Sequence, residues 1–238
     1  MSFRFKQFFI EDSKCAMKVG TDGVLLGAWC PVSGYGLQVT GYRILDVGTG
    51  SGLIARMLMQ RCPEATVEGI DIDDAAVEQA RENGVNAYCS PLQDWSMGYG
   101  LPVTGDGYDL IVSNPPYFQN SLKNPDAGRK TARHTDTLSY QELVQHSARL
   151  LREGGQLALI LPAEAEDEIR EIAAAEGLMP THVTRVYSKE SKPARRVLLS
   201  FEISRSRNLE TTTDSLVLEN EKGGRSAAYS ELTKDFYL

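Results

Sequence analysis

Short apolar segments alternate with longer amphipathic segments from about residue 42 to residue 204. The short segments have the length of strands, whereas the longer ones carry apolar residues at helical spacing. Such an alternation is typical of βαβ units around a mostly parallel sheet. The predicted strands are residues 42–48, 66–72, 85–90, 108–114, 156–162, 181–188 and 195–204. The pattern predicts an α/β fold with a doubly wound, Rossmann-like, mostly parallel seven-stranded sheet.

The amphipathic segments predict four helices, at residues 53–61, 74–83, 138–153 and 164–177. Asp73 or Asp74 is suited to cap the second helix, and Gly84 follows its end. Gly154 and Gly155 are expected to end the third. A basic, polar connection joins the last two strands, which predicts an antiparallel hairpin at one edge of the sheet.

Length and composition favour one substantial core, since the chain has 238 residues of which 42% are hydrophobic. We expect a single domain, divided into an amino-terminal segment (1–41), a core (42–204) and a carboxyl-terminal extension (205–238). The four cysteines are widely spaced and the three histidines are scattered, so neither a metal site nor a disulfide framework is expected. No secretory or membrane segment is visible, which predicts a cytoplasmic protein without a membrane partner.

Charge is unevenly distributed along the chain. The net charge of −7 argues against indiscriminate coating of nucleic acid. However, two basic stretches, 121–134 and 185–207, contrast with acidic segments elsewhere. Charge runs are often only solvated surface, but these two flank the expected site and are candidates for binding RNA phosphates. The candidates are Lys123, Arg129, Lys130, Arg133, Arg195 and Arg196.

A glycine-rich turn, "DVGTGSG", follows the first predicted strand and precedes a helix. Gly48 and Gly50 allow a tight turn and close approach of a ligand. A nicotinamide dinucleotide fingerprint would require a glycine where Leu53 stands, and it does not require an acid at Asp46. S-adenosylmethionine fits better, because its ammonium group matches the anionic Asp46.

Two further acids extend this candidate cofactor site. Asp71 ends the second strand about 20 residues after the glycine turn, where an acid accepts hydrogen bonds from ribose hydroxyls in dinucleotide folds. Asp94 can accept a hydrogen bond from the adenine amine, although a surface turn explains it nearly as well.

The segment "DLIVSNPPYF" is a buried strand that ends abruptly. Pro115 and Pro116 fix φ and lack N–H groups, so the turn after Asn114 is stiff. In open α/β sheets ligands bind beyond the carboxyl ends of the strands, where this turn would lie. An ordinary Asn-Pro turn is the alternative.

Together, "DVGTGSG" and "DLIVSNPPY" resemble the class I S-adenosylmethionine-dependent methyltransferases that carry an N-P-P-Y signature and methylate amino groups. The resemblance implies that the Asn114 side-chain oxygen and the Pro115 carbonyl accept hydrogen bonds from a planar NH₂ group. It also implies that Tyr117 stacks on the substrate. Phe118 and Pro116 would then adjoin a flipped base.

A narrower resemblance covers most of the chain. Residues 5–29, "TARHTDTLSYQEL" and the ending "KDFYL" are similar to bacterial tRNA(Val) adenine-N6 methyltransferases, which modify the adenosine next to the anticodon. The resemblance implies S-adenosylmethionine as cofactor, tRNA as partner, no metal and a monomer. It implies that Lys18, Thr21 and Asp22 cap the methionine end of the cofactor. Alternatively, Asp22 caps the helix that follows it.

Other functions remain open at this point. The same turn occurs in methyltransferases that act on DNA adenine, on rRNA and on a glutamine amide of release factors. We expect the release-factor class to need a helical domain before the core and many DNA enzymes to need a target-recognition domain, and neither is visible. An oxidoreductase would need the missing glycine. A non-catalytic RNA-binding factor would have no need of the N-P-P-Y turn.

Overall fold

A computed structural model of the chain describes residues 2–32, 41–99, 107–116, 138–204 and 210–237. Its strands are β1 (Ser2–Arg4), β2 (Phe9–Glu11), β3 (Arg43–Val47), β4 (Thr66–Asp71), β5 (Asn86–Cys89), β6 (Tyr108–Ser113), β7 (Leu151–Pro162), β8 (Leu178–Tyr187), β9 (Ala194–Ile203) and β10 (Thr212–Val217). Its helices are α1 (Thr21–Trp29), α2 (Leu53–Arg61), α3 (Asp74–Glu82), α4 (Leu92–Asp94), α5 (Tyr140–Leu150), α6 (Glu166–Ala175) and α7 (Ala227–Leu232). A π-helical turn (Trp95–Tyr99) follows α4, and a 3-10 turn (Ala163–Ala165) precedes α6.

The main sheet has the strand order β10-β8-β9-β7-β6-β3-β4-β5. The five strands from β7 to β5 are parallel to one another, whereas β9 is antiparallel to both of its neighbours. The strand order reverses between β3 and β6, since β4 lies on one side of β3 and β6 on the other. Such a point of reversal opens a crevice at the carboxyl ends of the strands.

Helices cover both faces of this sheet. Leu110 and Val112 of β6 contribute to the core beneath α1, α2 and α3, while Ile111 contributes to the core beneath α5 and α6. The three side chains are fully buried. An apolar run without alternation is therefore required in β6, because both of its faces are covered.

All seven predicted strands are present, and helix α2 has the predicted bounds. Asp73 is the cap of α3, since its Oδ1 accepts a hydrogen bond from the Ala75 N–H at 2.9 Å. Gly84 follows α3 with φ of +85°, a conformation that favours glycine. Helix α1 begins at Thr21 after Gly20, so Asp22 lies within its first turn and is not its cap.

Three features of the predicted fold need correction. The sheet has eight strands, because β10 from the carboxyl-terminal extension pairs with β8. The antiparallel hairpin of β8 and β9 is consequently not at the edge. Helix α5 ends at Leu150 and not at residue 153, since β7 begins at Leu151. Gly155 instead allows β7 to approach β6 closely, because a Cβ there would lie 2.7 Å from the Tyr108 carbonyl oxygen.

The two ends of the chain meet beside α2. The antiparallel pair β1 and β2 packs Phe5, Phe8 and Ile10 against Met57 of α2 and against Phe236. All four cysteines are free thiols. In the described ranges no helix has the length and apolar character to cross a membrane.

Candidate active site

The glycine turn lies between β3 and α2 and has a left-handed backbone. Gly48, Gly50 and Gly52 have φ values of +71°, +54° and +79°. A Cβ at Gly48 or Gly50 would meet nothing within 4 Å, whereas at Gly52 it would lie 2.7 Å from Val85 Cγ2. The first two glycines thus leave an open face for a ligand, and the third permits close packing against α3 and the residue that precedes β5.

Three N–H groups at the start of this turn are already bound within the protein. Those of Gly48 and Thr49 donate to the Ile70 carbonyl at 2.9 and 3.0 Å. That of Gly50 donates to Asp71 Oδ2 at 2.9 Å. Dinucleotide folds use free N–H groups at this position to hold a pyrophosphate. The turn is therefore poorly suited to a pyrophosphate and better suited to a ligand that donates hydrogen bonds.

Asp46 is fully buried beneath the turn. Its Oδ2 accepts hydrogen bonds from Thr49 Oγ1 at 2.8 Å and from the Ala55 N–H at 3.2 Å. Its buried Oδ1 has no hydrogen-bond partner among the described residues. Burial raises the pKa of Asp46 to about 7, an effect that the Thr49 and Ala55 hydrogen bonds partly offset. Asp46 thus joins the turn to α2 and presents one unpaired acceptor.

Asp71 is held in place at the end of β4. While Oδ2 accepts from Gly50, Oδ1 accepts from the Asp73 N–H at 3.0 Å. The side chain remains partly exposed, so each oxygen retains a lone pair for a further donor. The next residue, Ile72, is 56% exposed. Sequence reasoning missed Ile72, although a large apolar residue between an acid and a helix cap is a detectable signal.

Asn114 follows β6 directly at the point of strand reversal. Val47 and Ser113 are paired in register, and Ser113 Oγ donates to the Val47 carbonyl at 2.8 Å. Asn114 consequently follows β6 at the same edge at which Gly48 follows β3. Asn114 is half-buried, Pro115 is buried and Pro116 is exposed. The turn therefore lies at the crevice as predicted.

Two of the three predicted cofactor residues of the amino-terminal segment have partners within the protein. Lys18 Nζ donates to the carbonyl oxygens of Asp12 at 2.7 Å and Cys15 at 2.8 Å. These bonds close the loop before α1. Asp22 Oδ2 accepts a hydrogen bond from Arg196 Nε at 2.9 Å. Thr21 is exposed at the first position of α1.

Asp22 and Arg196, which the sequence assigns to different ligands, form an ion pair. Asp22 was expected at the cofactor and Arg196 at RNA, but their side chains bind each other and are only about a quarter exposed, 26% and 27% respectively. Arg196 is paired in register with Pro162, at the carboxyl end of β7. The ion pair therefore joins α1 to β9 at the edge where β7 ends. Arg195 next to it is exposed.

Asp94 is exposed on α4, which follows β5 at the same edge of the sheet. The Ser90 N–H donates to the Asp71 carbonyl at 2.9 Å, which joins the ends of β4 and β5. Several predicted residues lie outside the described ranges, namely Tyr117, Phe118, Lys123, Arg129, Lys130 and Arg133. Across the described residues, no group of three or more His, Cys, Asp or Glu side chains could hold a metal ion.

Comparison with solved structures supports the fold. A predicted O-methyltransferase from Agrobacterium tumefaciens superposes with a TM-score of 0.69 at 18% identity, over 90% of this chain and 96% of that one. A Thermus thermophilus 16S rRNA N2 G1207 methyltransferase, in complex with AdoMet and guanosine, has a TM-score of 0.52 at 20% identity, over 84% of this chain and 43% of that one. The class I methyltransferase fold is shared with both.

Sequence comparison gives the family. Residues 36–174 match the family described as methyltransferase small domain. A tRNA1(Val) (adenine(37)-N6)-methyltransferase of Bacteroides fragilis is 43% identical, over 99% of this chain and 97% of its own length. The enzymes of the same name from Parabacteroides distasonis and Pectobacterium carotovorum are 44% and 40% identical over 99% of this chain, covering 97% and 93% of their own lengths. This chain, in which the glycine turn and Asn114 lie at one crevice, belongs to the tRNA1(Val) (adenine(37)-N6)-methyltransferase family.

Proposed function

We propose that the protein transfers a methyl group from S-adenosylmethionine to the exocyclic N6 of an adenosine in tRNA, the one adjacent to the anticodon of tRNA(Val). One observation carries the proposal: Asn114 and the glycine turn follow two paired strands at one crevice. A methyl donor and a target amine must be adjacent for direct transfer, and this arrangement brings their candidate ligands together.

The residues around the glycine turn fit S-adenosylmethionine. The unpaired Oδ1 of Asp46 suits the ammonium group, Asp71 suits the ribose hydroxyls, and the exposed Ile72 offers an apolar surface for the adenine ring. The open space above Gly48 and Gly50 allows the backbone to approach the ligand. When bound, S-adenosylmethionine supplies a methyl carbon activated by a positive sulfur. Lys18, Thr21, Asp22 and Asp94 are assigned to the cofactor in the same proposal.

The N-P-P-Y turn would orient the amine. An exocyclic amine conjugated to a ring is a weak nucleophile, because its lone pair is delocalised. The Asn114 side-chain oxygen and the Pro115 carbonyl accept its two hydrogens, which draws the nitrogen toward tetrahedral geometry and directs its lone pair at the methyl carbon. Acceptors fixed in advance need no reorganisation during the reaction. The product ammonium loses its proton to water, so no strong base is required.

The RNA would be held by stacking and by charge. Tyr117 and Phe118 are assigned to stacking on the flipped adenine, with Pro116 beside it. Lys123, Arg129, Lys130, Arg133 and Arg195 are assigned to RNA phosphates. Arg196 is expected to contribute less, because Asp22 already balances its charge.

We further infer a single domain, a monomer and a cytoplasmic location. Two elements of the carboxyl-terminal extension support the single domain. Strand β10 pairs with β8, and α7 packs against the core of the main sheet. The four free thiols fit a reducing compartment.

The direct test is methyl transfer to unmodified tRNA. The purified protein is incubated with S-adenosylmethionine and tRNA from cells that lack the modification, and the tRNA is digested and analysed by mass spectrometry. N6-methyladenosine next to the anticodon of tRNA(Val) is expected. Duplex DNA and a peptide release factor are assayed in parallel, and methylation of either one without methylation of tRNA would overturn the proposal.

A further inference from the structure

The amino-terminal hairpin, defined as residues 2–11, presents an aromatic ring and cations that the proposed function does not use. Phe5, Phe8 and Ile10 are buried, but Phe9 is 64% exposed. Arg4 is paired with Phe9 in register, so both side chains project from the same face of the two strands. Arg4 and Lys6 are exposed as well. The exposed face thus combines a phenyl ring with positive charge.

Two observations show that this face is held in a fixed position. The Lys6 N–H donates to the Phe236 carbonyl at 2.9 Å, and the Phe5 and Phe8 rings stack with centroids 4.8 Å apart. The hairpin is therefore anchored on the carboxyl-terminal end of the chain and on α2. A single exposed ring is common on protein surfaces, but its position on an anchored hairpin beside Arg4 makes this ring available to a partner outside the chain.

The hairpin is also connected to the candidate active site. Asn83 Nδ2 donates to the Glu11 carbonyl at 2.7 Å and to the Ser51 carbonyl at 2.8 Å. The Glu11 N–H in turn donates to Asn83 Oδ1 at 3.0 Å. One side chain thus joins the end of β2 to the glycine turn. Phe9 lies two residues before Glu11, about 7 Å along the strand.

The aromatic ring and the cations of this face favour RNA as its partner. The hairpin contains two cations, Arg4 and Lys6, and one acid, Glu11, although the whole chain has a net charge of −7. Arg4 forms no ion pair within the described ranges. A concavity of about 380 Å³ adjoins Arg4, Lys6 and Phe9. Lys6 Nζ donates to the Lys234 carbonyl oxygen, which leaves Arg4 as the main cation of the face. A base can stack on the phenyl ring while Arg4 binds a flanking phosphate. Two three-residue strands would bury too little area for a stable dimer of this chain.

We propose that the amino-terminal hairpin is a second RNA contact, in which Phe9 stacks on an unpaired base and Arg4 binds a neighbouring phosphate of the tRNA whose adenosine occupies the active site. The tRNA identity rests on the proposed function, but the stacking contact itself requires only RNA. Glu11 lies on the same face as Arg4 and Phe9 and repels phosphate, which limits the strength of the contact.

The test measures tRNA binding by a series of variants at several salt concentrations. Phe9→Ala and Phe9→Leu are expected to raise the Kd for tRNA about fivefold or more, whereas Phe9→Trp retains the affinity, because stacking needs an aromatic face. Arg4→Gln should weaken binding and reduce the slope of log K against log salt by about one. Glu11→Gln should tighten binding. Thermal unfolding and S-adenosylmethionine affinity serve as controls and should not change.

The outcomes separate this inference from the proposed function. If the wild-type protein methylates tRNA but the Phe9 and Arg4 variants bind tRNA as it does, the hairpin is not an RNA contact. If Phe9→Leu retains the affinity, stacking is refuted. If self-association depends on Phe9 while tRNA binding does not, a second copy of the chain is the partner. If the wild type binds tRNA with the expected variant effects but methylates none, only the proposed function fails.

Discussion

The Asp46→Asn substitution removes one buried ionisable group and keeps the shape of the side chain. Burial raises the pKa of Asp46 from the ordinary value of 3.8 to about 7 in the folded protein. The folded state therefore binds a proton at Asp46 that the unfolded state releases. This contribution to stability is fully present below about pH 4 and is lost as the pH rises to about 7. One pKa unit corresponds to about 1.4 kcal/mol, so the shift from 3.8 to about 7 lowers the free energy of unfolding by about 4 kcal/mol once the pH exceeds 7.

Asparagine cannot ionise, but its oxygen can still accept the hydrogen bonds from Thr49 and Ala55. The free energy of unfolding of the variant relative to the wild type should thus increase by about 2–3 kcal/mol between pH 5 and pH 8. Urea unfolding of both proteins at pH 5, 6, 7 and 8 measures this difference, and all other titrating groups cancel in it. Parallel stability curves would refute the assignment of a raised pKa to Asp46.

The same variant tests the proposed role of Asp46 in cofactor binding. An ammonium group beside Oδ1 favours the ionised carboxyl, so the wild type should release a proton when it binds S-adenosylmethionine near pH 6. Titration calorimetry in buffers with different ionisation enthalpies detects this release. Asp46→Asn should bind the cofactor more weakly and without proton release. Equal affinity and equal proton release in both proteins would remove Asp46 from the ammonium site.

Three further experiments test separate parts of the crevice. Asn114→Ala should abolish methyl transfer and leave S-adenosylmethionine binding nearly unchanged, as measured by tritium transfer and calorimetry. Gly52→Ala should lower the free energy of unfolding by more than the roughly 1–3 kcal/mol that backbone strain alone costs, because the added Cβ also overlaps Val85. A double-mutant cycle on Asp22→Asn and Arg196→Gln should give a coupling of about 0.5–1 kcal/mol in urea unfolding, as expected for a largely shielded ion pair.

Each of these has its own control. Loss of cofactor binding in Asn114→Ala would contradict a division between amine and cofactor ligands. Gly48→Ala has the same strained backbone but open space around the Cβ, so it should cost less stability than Gly52→Ala. A coupling of zero would show that the ion pair does not contribute to stability.

Local patterns predicted seven strands of the main sheet and four helices, but neither every boundary nor the elements β1, β2, β10 and α7. The buried strand before Asn114 and the cap at Asp73 were predictable, since each depends on neighbouring residues. The true end of α5 was not, because the helical pattern continues past Leu150 while pairing with β6 draws Leu151 into β7. The eighth strand was missed for a related reason: β10 is exposed along most of its length and gains its structure from β8.

For the site, the sequence alone determined which residue types follow which strands, and so it predicted Asn114, the glycine turn and Asp71 at one crevice. Parallel strands bring their carboxyl ends together, which makes such a prediction possible without coordinates. Only the tertiary structure decided the partners of long, charged side chains. Lys18 binds backbone carbonyls and Asp22 binds Arg196, 174 residues away. A charged side chain at a crevice binds the opposite charge or backbone carbonyl that lies nearest in the folded protein, and sequence spacing does not reveal which group that is.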